Sequence, residues 1–451
     1  MIAQSKKRTG QRLAGLTLIG RQKLLQKPTL FCNSPFSDFE AVLYTVRRFS
    51  GGKNPAFFAI GVPQTYITPK QITRIFGRTI VMNHGKRNPD PYRGVDWAKV
   101  HRVQGCTHMH CQNRDIFNSL VAQGLEFATF SNYYPSAPTW PIREIYENTF
   151  RLGQASYLRN HRFYDEPLDF RKEFARYGID AELPDGPGPR KYPDPPAGFL
   201  EAPNAEHAWF SDYNVYLHVC AVGSTLTTSM DRQNAALLKD HGYELGCPVP
   251  WREAFDLMLD KLIIPDGGGI TINHPNWSHL PVGDLCAMLD HDPRVLGIEI
   301  FSNDADGSYS GQAEPAWNAV LATGRQCFGF CVQDHLHGEW KGRSILLVDE
   351  RTPEACLRAY REGRFYGAVL GHGLSFDFVH WDGENFHARC DRGKCLLQVI
   401  SRVGVAEEFF KASEARFTVR STDRAKHGFL RLTAFCEETG EKLYTQPIML
   451  V

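Results

Sequence analysis

The chain has 451 residues, of which 42% are apolar and 12% aromatic, enough to bury one large core and a smaller second one. Its 51 Lys and Arg residues balance 50 Asp and Glu, and the resulting net charge of +1 offers no general field for nucleic acid or an acidic membrane. No apolar run approaches the roughly 20 residues that a membrane-spanning helix needs. The 12 cysteines are dispersed without a CxxC pair, which favours thiols in a reducing compartment, and we expect a soluble, cytoplasmic protein.

The N-terminal segment, residues 1–95, contains strand-like pieces over 56–62 and 78–82 but no chemical motif. Its basic start includes an apolar stretch over 13–20 that is short and lacks a small-residue cleavage site, unlike a secretory signal. We interpret this segment as an N-terminal extension of unclear role.

From about residue 96 the pattern becomes β-rich runs alternating with amphipathic helices, which is typical of a parallel β/α domain. The stretch 134–203 interrupts this pattern with many prolines, which favours a lid-like excursion over the domain. The alternation predicts strands over 103–110, 126–131, 216–222, 269–273, 295–301 and 326–333, and helices over 115–123, 251–261, 283–289 and 314–323. The fold class predicted for 96–372 is therefore α/β, a distorted (β/α)7-type barrel.

After about residue 373 the helical pattern stops. Apolar and polar residues then alternate over 395–401, 415–419 and 430–436. This pattern predicts a small antiparallel β-sandwich over 373–451.

The first chemically suggestive residues are His108 and His110, at the end of a predicted strand. The period of two along a strand puts both imidazoles on one face and Met109 on the other. That spacing suits a single metal ion, although two histidines in an isolated pair of this kind are more often surface or core residues whose hydrogen bonds are made within the protein. The interpretation as ligands therefore depends on the residues that follow.

Further potential ligands end later strand-like runs, and a β/α barrel brings the C-terminal ends of its strands together at one face. His274 stands between Asn273 and Pro275, a context that forces a turn and displays the imidazole. A carboxylate and two histidines within four residues at 334–337 are costly to gather at a strand end unless something pairs with them. The candidates are Glu206, His218, His274, Asp334, His335 and His337.

Taken in order, these residues lie in the motifs CTHMHC, PNAE, YLHVCAVGS, NHPNW and DHLHG, followed by EACLRAYREGRFYG and FLRLTAFCEETGEKLYTQPI. Over about residues 96–450 the chain resembles the PHP (polymerase and histidinol phosphatase) domain family of metal-dependent phosphoesterases, in the branch with a C-terminal β-sandwich. The resemblance implies that His108, His110 and Asp334 hold one metal, that Glu206 bridges, and that His218 and His274 hold a second. Mixed imidazole and carboxylate ligation suits zinc, manganese or iron.

Two departures from the family pattern concern a third metal. Ser131, Asn132, Tyr133 and Tyr134 stand where the family usually has T-D-H-N, and the neighbourhood of Asp115 replaces an additional histidine. We therefore expect two divalent ions, with the third site lost or weak. His337 would then bind a metal weakly with Asp115 or hydrogen-bond the substrate.

The predicted chemistry is hydrolysis, because two metal ions about 3.5–4 Å apart activate water and offset the charge on a phosphoryl or carbonyl oxygen. His337, His335 or Tyr133 would donate a proton to the leaving group. Asn303, Asn132 and Tyr134 are candidates for substrate binding, although Asn303 equally suits a turn and an aromatic residue at a strand end is more often packing.

The leading hypothesis is a metal-dependent hydrolase of a small-molecule phosphoester. The absence of GxxxxGK[ST] disfavours a P-loop nucleoside-triphosphatase, and the absence of GxSxG disfavours a serine hydrolase. The alternatives are a hydrolase of a C–N or C–O bond, and a metal-binding but catalytically idle module that recognises a ligand such as a glycan.

Overall fold

The computed structural model describes residues 88–111, 114–132, 140–144, 193–214, 216–226, 247, 249–302, 312–336, 338–371 and 373–450, with the backbone of 41–46 and 56–61. The chain divides into two compact units, residues 1–82 and 83–451. In the first unit, β1 (Ala41–Val46) pairs antiparallel with β2 (Ala56–Gly61), which confirms the predicted strand over 56–62. The predicted strand over 78–82 lies outside the described residues, and the predicted boundary near residue 95 falls within the second unit.

The second unit combines strands and helices. Its described strands are β3 (His101–Gly105), β4 (Met109–His110), β5 (Phe127–Ala128), β6 (Leu200–Glu201), β7 (Glu206–His207), β8 (Val219–Val222), β9 (Gly269–Ile272), β10 (Val295–Ser302), β11 (Phe328–Val332), β12 (Asp334–His335), β13 (Gly342–Val348), β14 (Phe365–Val369), β15 (Phe376–Trp381), β16 (Asn385–Cys390), β17 (Cys395–Ser401), β18 (Gly404–Ala412), β19 (Glu414–Thr418), β20 (Phe429–Cys436), β21 (Lys442–Thr445) and β22 (Ile448–Met449). Its described helices are α1 (Arg114–Ala122), α2 (Trp251–Asp260), α3 (Val282–Leu289), α4 (Glu314–Ala322), α5 (Pro353–Glu362) and α6 (Arg424–His427), with 3-10 turns at Ile142–Glu144 and Ser421–Asp423.

Local sequence explains the helix boundaries, most clearly for α5. Thr352 caps its first turn, since the Thr352 hydroxyl accepts a hydrogen bond from the backbone N–H of Ala355 at 3.2 Å. Pro353 occupies the first turn, and Gly363 ends the helix in the left-handed conformation at φ 73°. The helices predicted over 115–123, 251–261, 283–289 and 314–323 are confirmed to within two residues at each end.

A five-stranded sheet has the order β11-β10-β9-β8-β7; Glu206 lies on β7, and His218 and His274 lie beside the ends of β8 and β9. Strands β9, β10 and β11 are parallel, whereas β8 runs antiparallel to both β7 and β9. The strand predicted over 103–110 is interrupted between β3 and β4. In the interruption the carbonyl of Thr107 accepts a hydrogen bond from the side-chain amide of Asn204 at 2.8 Å instead of pairing in the sheet.

A ten-stranded sheet has the order β18-β17-β20-β21-β14-β13-β3-β5-β6, with β22 paired to β20. Because β14 pairs antiparallel with β21, the C-terminal strands extend the same sheet that contains β3. The three-stranded sheet β15-β16-β19 shares one apolar core with this extension, in which Phe376 and Phe386 pack in the same cluster as Leu397 and Leu432. The sequence predicts a small antiparallel β-sandwich over 373–451, and strands of this segment continue the sheet that contains β3, β13 and β14.

A second apolar core contains buried residues from strands of both sheets, and six of them lie on β3, β5, β6, β8, β10 and β11, respectively. These residues are Val103, Phe127, Leu200, Val222, Leu296 and Phe328. Leu357 and Tyr360 of α5 belong to the same core. The strands are divided between two sheets, yet they pack their apolar side chains into one interior.

None of the helices in the described part of the chain is long and apolar enough to cross a membrane.

Candidate metal centre

Backbone hydrogen bonds bring the ends of strands from different sheets together around the candidate ligands. Met109 O accepts from Ser131 N at 2.9 Å, and Ser131 O accepts from Glu206 N at 3.0 Å. On the other side, Asp334 N donates to His108 O at 3.0 Å, and β12 runs parallel to β4. Strands β4, β7 and β12 therefore present His110, Glu206 and Asp334 to the same place.

Four side-chain atoms meet in the first group. The Nε2 atoms of His108 and His110 are 3.3 Å apart. Glu206 Oε2 lies 3.3 Å from His108 Nε2 and 3.1 Å from His110 Nε2. Asp334 Oδ1 lies 3.2 Å from each of the same two nitrogens. Ligands of a tetrahedral zinc ion at about 2.0–2.1 Å stand about 3.3 Å from one another, so this group has the spacing of a metal-binding set.

A second group forms around the other oxygen of Glu206. Glu206 Oε1 lies 2.9 Å from His218 Nδ1 and 3.4 Å from His274 Nε2. Asn273 Nδ2 also donates to this oxygen at 3.1 Å, which fixes the orientation of the carboxylate. The two oxygens of one buried carboxylate therefore face two different histidine pairs.

The electrostatics of the cluster follow from its burial and its composition. Burial alone would raise the pKa of Glu206, but His108 and His218 lower it well below its ordinary value. Burial likewise opposes ionisation of Asp334, whose pKa is nevertheless held well below its ordinary value by His108 and His110. Two ionised carboxylates are thus enclosed among imidazoles, an arrangement that a divalent cation stabilises strongly.

The pKa values of the imidazoles shift in the opposite direction, upward. Burial lowers the pKa of His108, but Asp334, Glu206 and Glu299 together raise it well above its ordinary value. Burial also lowers the pKa of His110, and its hydrogen bonds to Asp334 and Glu206 reverse this into a net rise. Without a metal, these imidazoles hold protons where a cation would otherwise sit, so metal binding is expected to release protons.

Glu299 is a functional residue that the sequence reasoning missed. It is buried in β10, where Oε1 lies 2.8 Å from His108 Nδ1 and Oε2 accepts from the backbone N–H of His274 at 2.7 Å. By accepting from Nδ1 of His108, it leaves Nε2 directed at the cluster, as carboxylates behind metal-binding histidines do. A carboxylate inside the otherwise apolar run VLGIEIFS was the signal that could have identified it.

Backbone strain coincides with two of the candidate ligands. His274 has φ 26° and Asp334 has φ 59°, values that non-glycine residues rarely adopt. His274 is held in place by its backbone bond to Glu299, and its Nδ1 lies 3.2 Å from Ser278 Oγ. Strain that the surrounding hydrogen bonds maintain is typical of functional positions.

His335 lies beside the first group. Its ring stacks on that of His110 with the centroids 4.2 Å apart, because β12 and β4 pair these residues directly. Its Nε2 lies 3.6 Å from Asp334 Oδ1. Burial, together with the nearby His110, lowers the pKa of His335 to about 4, so its imidazole is neutral at neutral pH. A neutral imidazole can ligate a metal or accept a proton, and the role of His335 as proton donor to the leaving group stays a prediction.

The side chain of Asn132 is bonded to the backbone of Cys111. Its Oδ1 accepts from the backbone N–H of Cys111 at 2.7 Å, and its Nδ2 donates to the carbonyl of the same residue. Both amide atoms bond to the backbone, so this side chain ties two segments together, and its contact with a substrate stays a prediction. Tyr133, Tyr134, Asn303 and His337 lie outside the described residues.

The described residues thus contain four overlapping groups whose ligand atoms lie within 4.8 Å of one another. They are His108 with His110 and Glu206, His108 with His274 and Asp334, His110 with Asp334 and His335, and Glu206 with His218 and His274. Asp115, the expected partner of a third metal, is exposed in α1 and belongs to none of them. The donor set fits divalent metal ions.

No protein-family model matches the chain, and no curated protein matches it. Among solved structures, a two-domain protein from Bacteroides vulgatus ATCC 8482, described as containing a predicted PHP-like metal-dependent phosphoesterase, is similar with a TM-score of 0.35 at 11% identity. The similarity covers 80% of this chain and 99% of that one.

Proposed function

We propose that this protein is a metal-dependent hydrolase that binds two divalent ions and acts on a phosphoester. The observation that carries the proposal is the position of Glu206, whose Oε2 lies among His108, His110 and Asp334 while its Oε1 lies between His218 and His274. A buried carboxylate directed at two separate histidine pairs is suited to bridging two ions. The order of the motifs, which resembles the PHP family, supports the same ligand assignment.

The fold supports this proposal in one further respect. The hydrogen bonds that link β4, Ser131, β7 and β12, together with the sheet from β7 to β11, connect the strand ends that lie around the ligands, which we infer to form a ring. We interpret this ring as the rim of a distorted (β/α)7-type barrel, with the common apolar interior below it. Ligands contributed by the ends of several strands are what such a rim provides.

The residues of the chain have separable roles in this proposal. When bound, two divalent ions would activate water and offset negative charge on the phosphoryl oxygens. Glu206 and Asp334 supply the negative charge that holds the cations, and Glu299 fixes the orientation of His108. His335, neutral at neutral pH, is placed to ligate or to accept a proton beside the first group.

The experiment is metal analysis of protein purified without chelator, combined with a panel of phosphomonoesters and phosphodiesters. We expect about two ions per chain and turnover of at least one phosphoester. His274→Ala should lower the metal content and abolish turnover. His291→Ala is the matched control, because His291 pairs with Asp256 at 2.8 Å outside the cluster, and both properties should survive this change.

Other outcomes separate the alternatives. Bound metal without turnover of any phosphoester, but with hydrolysis of an amide or a carboxylic ester, would indicate C–N or C–O chemistry. Bound metal with no turnover of any substrate would indicate a binding module. Three tightly held ions would contradict the loss of the third site.

A further inference from the structure

Two exposed aromatic side chains stand next to the second histidine pair. Trp277 is 38% exposed, and its ring centroid lies 4.9 Å from that of His274 and 5.2 Å from that of His218. Tyr216 is 48% exposed, and its ring centroid lies 5.3 Å from that of Trp277. Isolated exposed apolar residues need no explanation, but an exposed aromatic pair of which one member, Trp277, contacts two candidate ligands does.

The segment that carries Trp277 is held in a fixed turn. Ser278 N donates to His274 O at 3.1 Å, and Leu280 N donates to Pro275 O at 2.9 Å. The side chain of Asn276 also donates to the carbonyl of Gln312. Trp277 is therefore presented by a pre-organised turn, so little conformational freedom is lost when a ligand binds against it.

We propose that Tyr216 and Trp277 form a binding corner for a planar aromatic ring of the substrate, so that the phosphoester carries an aryl group. The proposal rests on the proposed function, because the ring would bind in this corner while the phosphoryl group lies at the metal ions held by the histidines beside it. The two rings meet at 86°, and a third aromatic ring in such a corner can stack on one and meet the other edge to face.

The test compares binding of two non-hydrolysable ligands to the metal-loaded protein, phenylphosphonate and methylphosphonate. Both carry the same phosphonate group, and only the first carries a ring. We expect the wild-type protein to prefer phenylphosphonate, and we expect Trp277→Ala to weaken phenylphosphonate binding by about tenfold without affecting methylphosphonate. Trp277→Phe, which retains an aromatic ring, should keep most of the preference, and Tyr216→Ala should lose part of it.

Phe410→Ala is the matched control, since Phe410 on β18 is 69% exposed and far along the chain from the candidate ligands, and it should change neither affinity. Equal binding of the two phosphonates by the wild-type protein, or equal losses for both in Trp277→Ala, would overturn the aromatic corner. These readouts do not require turnover. Failure to hydrolyse any phosphoester would therefore count against the proposed function and not against the corner.

Discussion

Replacing Glu299 with glutamine tests whether the carboxylate behind His108 and His274 organises the centre. Each of its oxygens accepts a different hydrogen bond, from His108 Nδ1 at 2.8 Å and from His274 N at 2.7 Å. Glutamine has only one acceptor oxygen. If that oxygen accepts from one of the two donors, His108 Nδ1 or His274 N, the other donor faces the NH2 group of the glutamine. One charge-assisted bond is lost and two donors face each other in a buried place.

The expected magnitude follows from these contacts. Loss of the bond should lower the free energy of unfolding of the metal-free protein by about 1–3 kcal/mol. Because His108 would no longer be fixed with Nε2 toward the cluster, affinity for the first metal should fall by about 10- to 100-fold. Competitive titration against a chelating dye, paired with chemical denaturation, measures both quantities.

Glu441→Gln is the control for loss of a buried carboxylate. Glu441 is also buried and accepts two backbone hydrogen bonds, from Gly373 at 2.8 Å and Leu374 at 3.1 Å, but it lies outside the cluster. Glutamine keeps the oxygen that accepts both backbone bonds but loses the charge that Oε2 presents to Thr439 and Arg392, so Glu441→Gln should lower stability and leave metal affinity unchanged. The reasoning is refuted if Glu299→Gln binds metal as tightly as the wild-type protein, or if both variants weaken binding equally.

Two further predictions concern pH and glycine packing. The raised pKa values of His108 and His110 stabilise the metal-free protein fully below their ordinary value of about 6.5, and this stabilisation is lost as the pH rises through the raised values. Bound metal requires both imidazoles neutral, so the difference in Tm between metal-loaded and chelator-treated protein should widen from pH 6 to pH 8.5, and a constant difference would contradict the ligand assignment. Gly297→Ala should cost about 1–3 kcal/mol or more in a denaturation experiment, since its Cβ would lie 1.9 Å from the carbonyl oxygen of Phe328. Gly283→Ala, in α3 with open space around the added methyl, should instead stabilise the protein by about 1 kcal/mol, and equal effects of the two changes would show that packing does not decide them.

The sequence predicted the helices well because each has a local cause. The amphipathic period and the terminal residues of α2, α3 and α4 lie within the helices themselves. Strand ends were also located, and the structure brings His108, His110, Glu206, His218, His274 and Asp334 together in overlapping groups. The predicted barrel topology implies this convergence, because a barrel gathers the ends of its strands at one face.

Other features depend on contacts that sequence does not reveal. Glu299 was missed because its importance comes from His108, which is 191 positions away in the chain. The bond between Asn132 and the backbone of Cys111 is likewise a tertiary contact that the sequence does not indicate. The continuation of one sheet from β14 into β21 likewise depends on pairing between segments that are distant in sequence.

The most direct test of the central claim is a crystal structure of metal-loaded protein with anomalous scattering data. We predict two peaks that share Glu206, one near the Nε2 atoms of His108 and His110 with Asp334 Oδ1, and the other near His218 Nδ1 and His274 Nε2. A single peak that Glu206 does not ligate, or no peak within the cluster, would contradict the bridged two-metal centre.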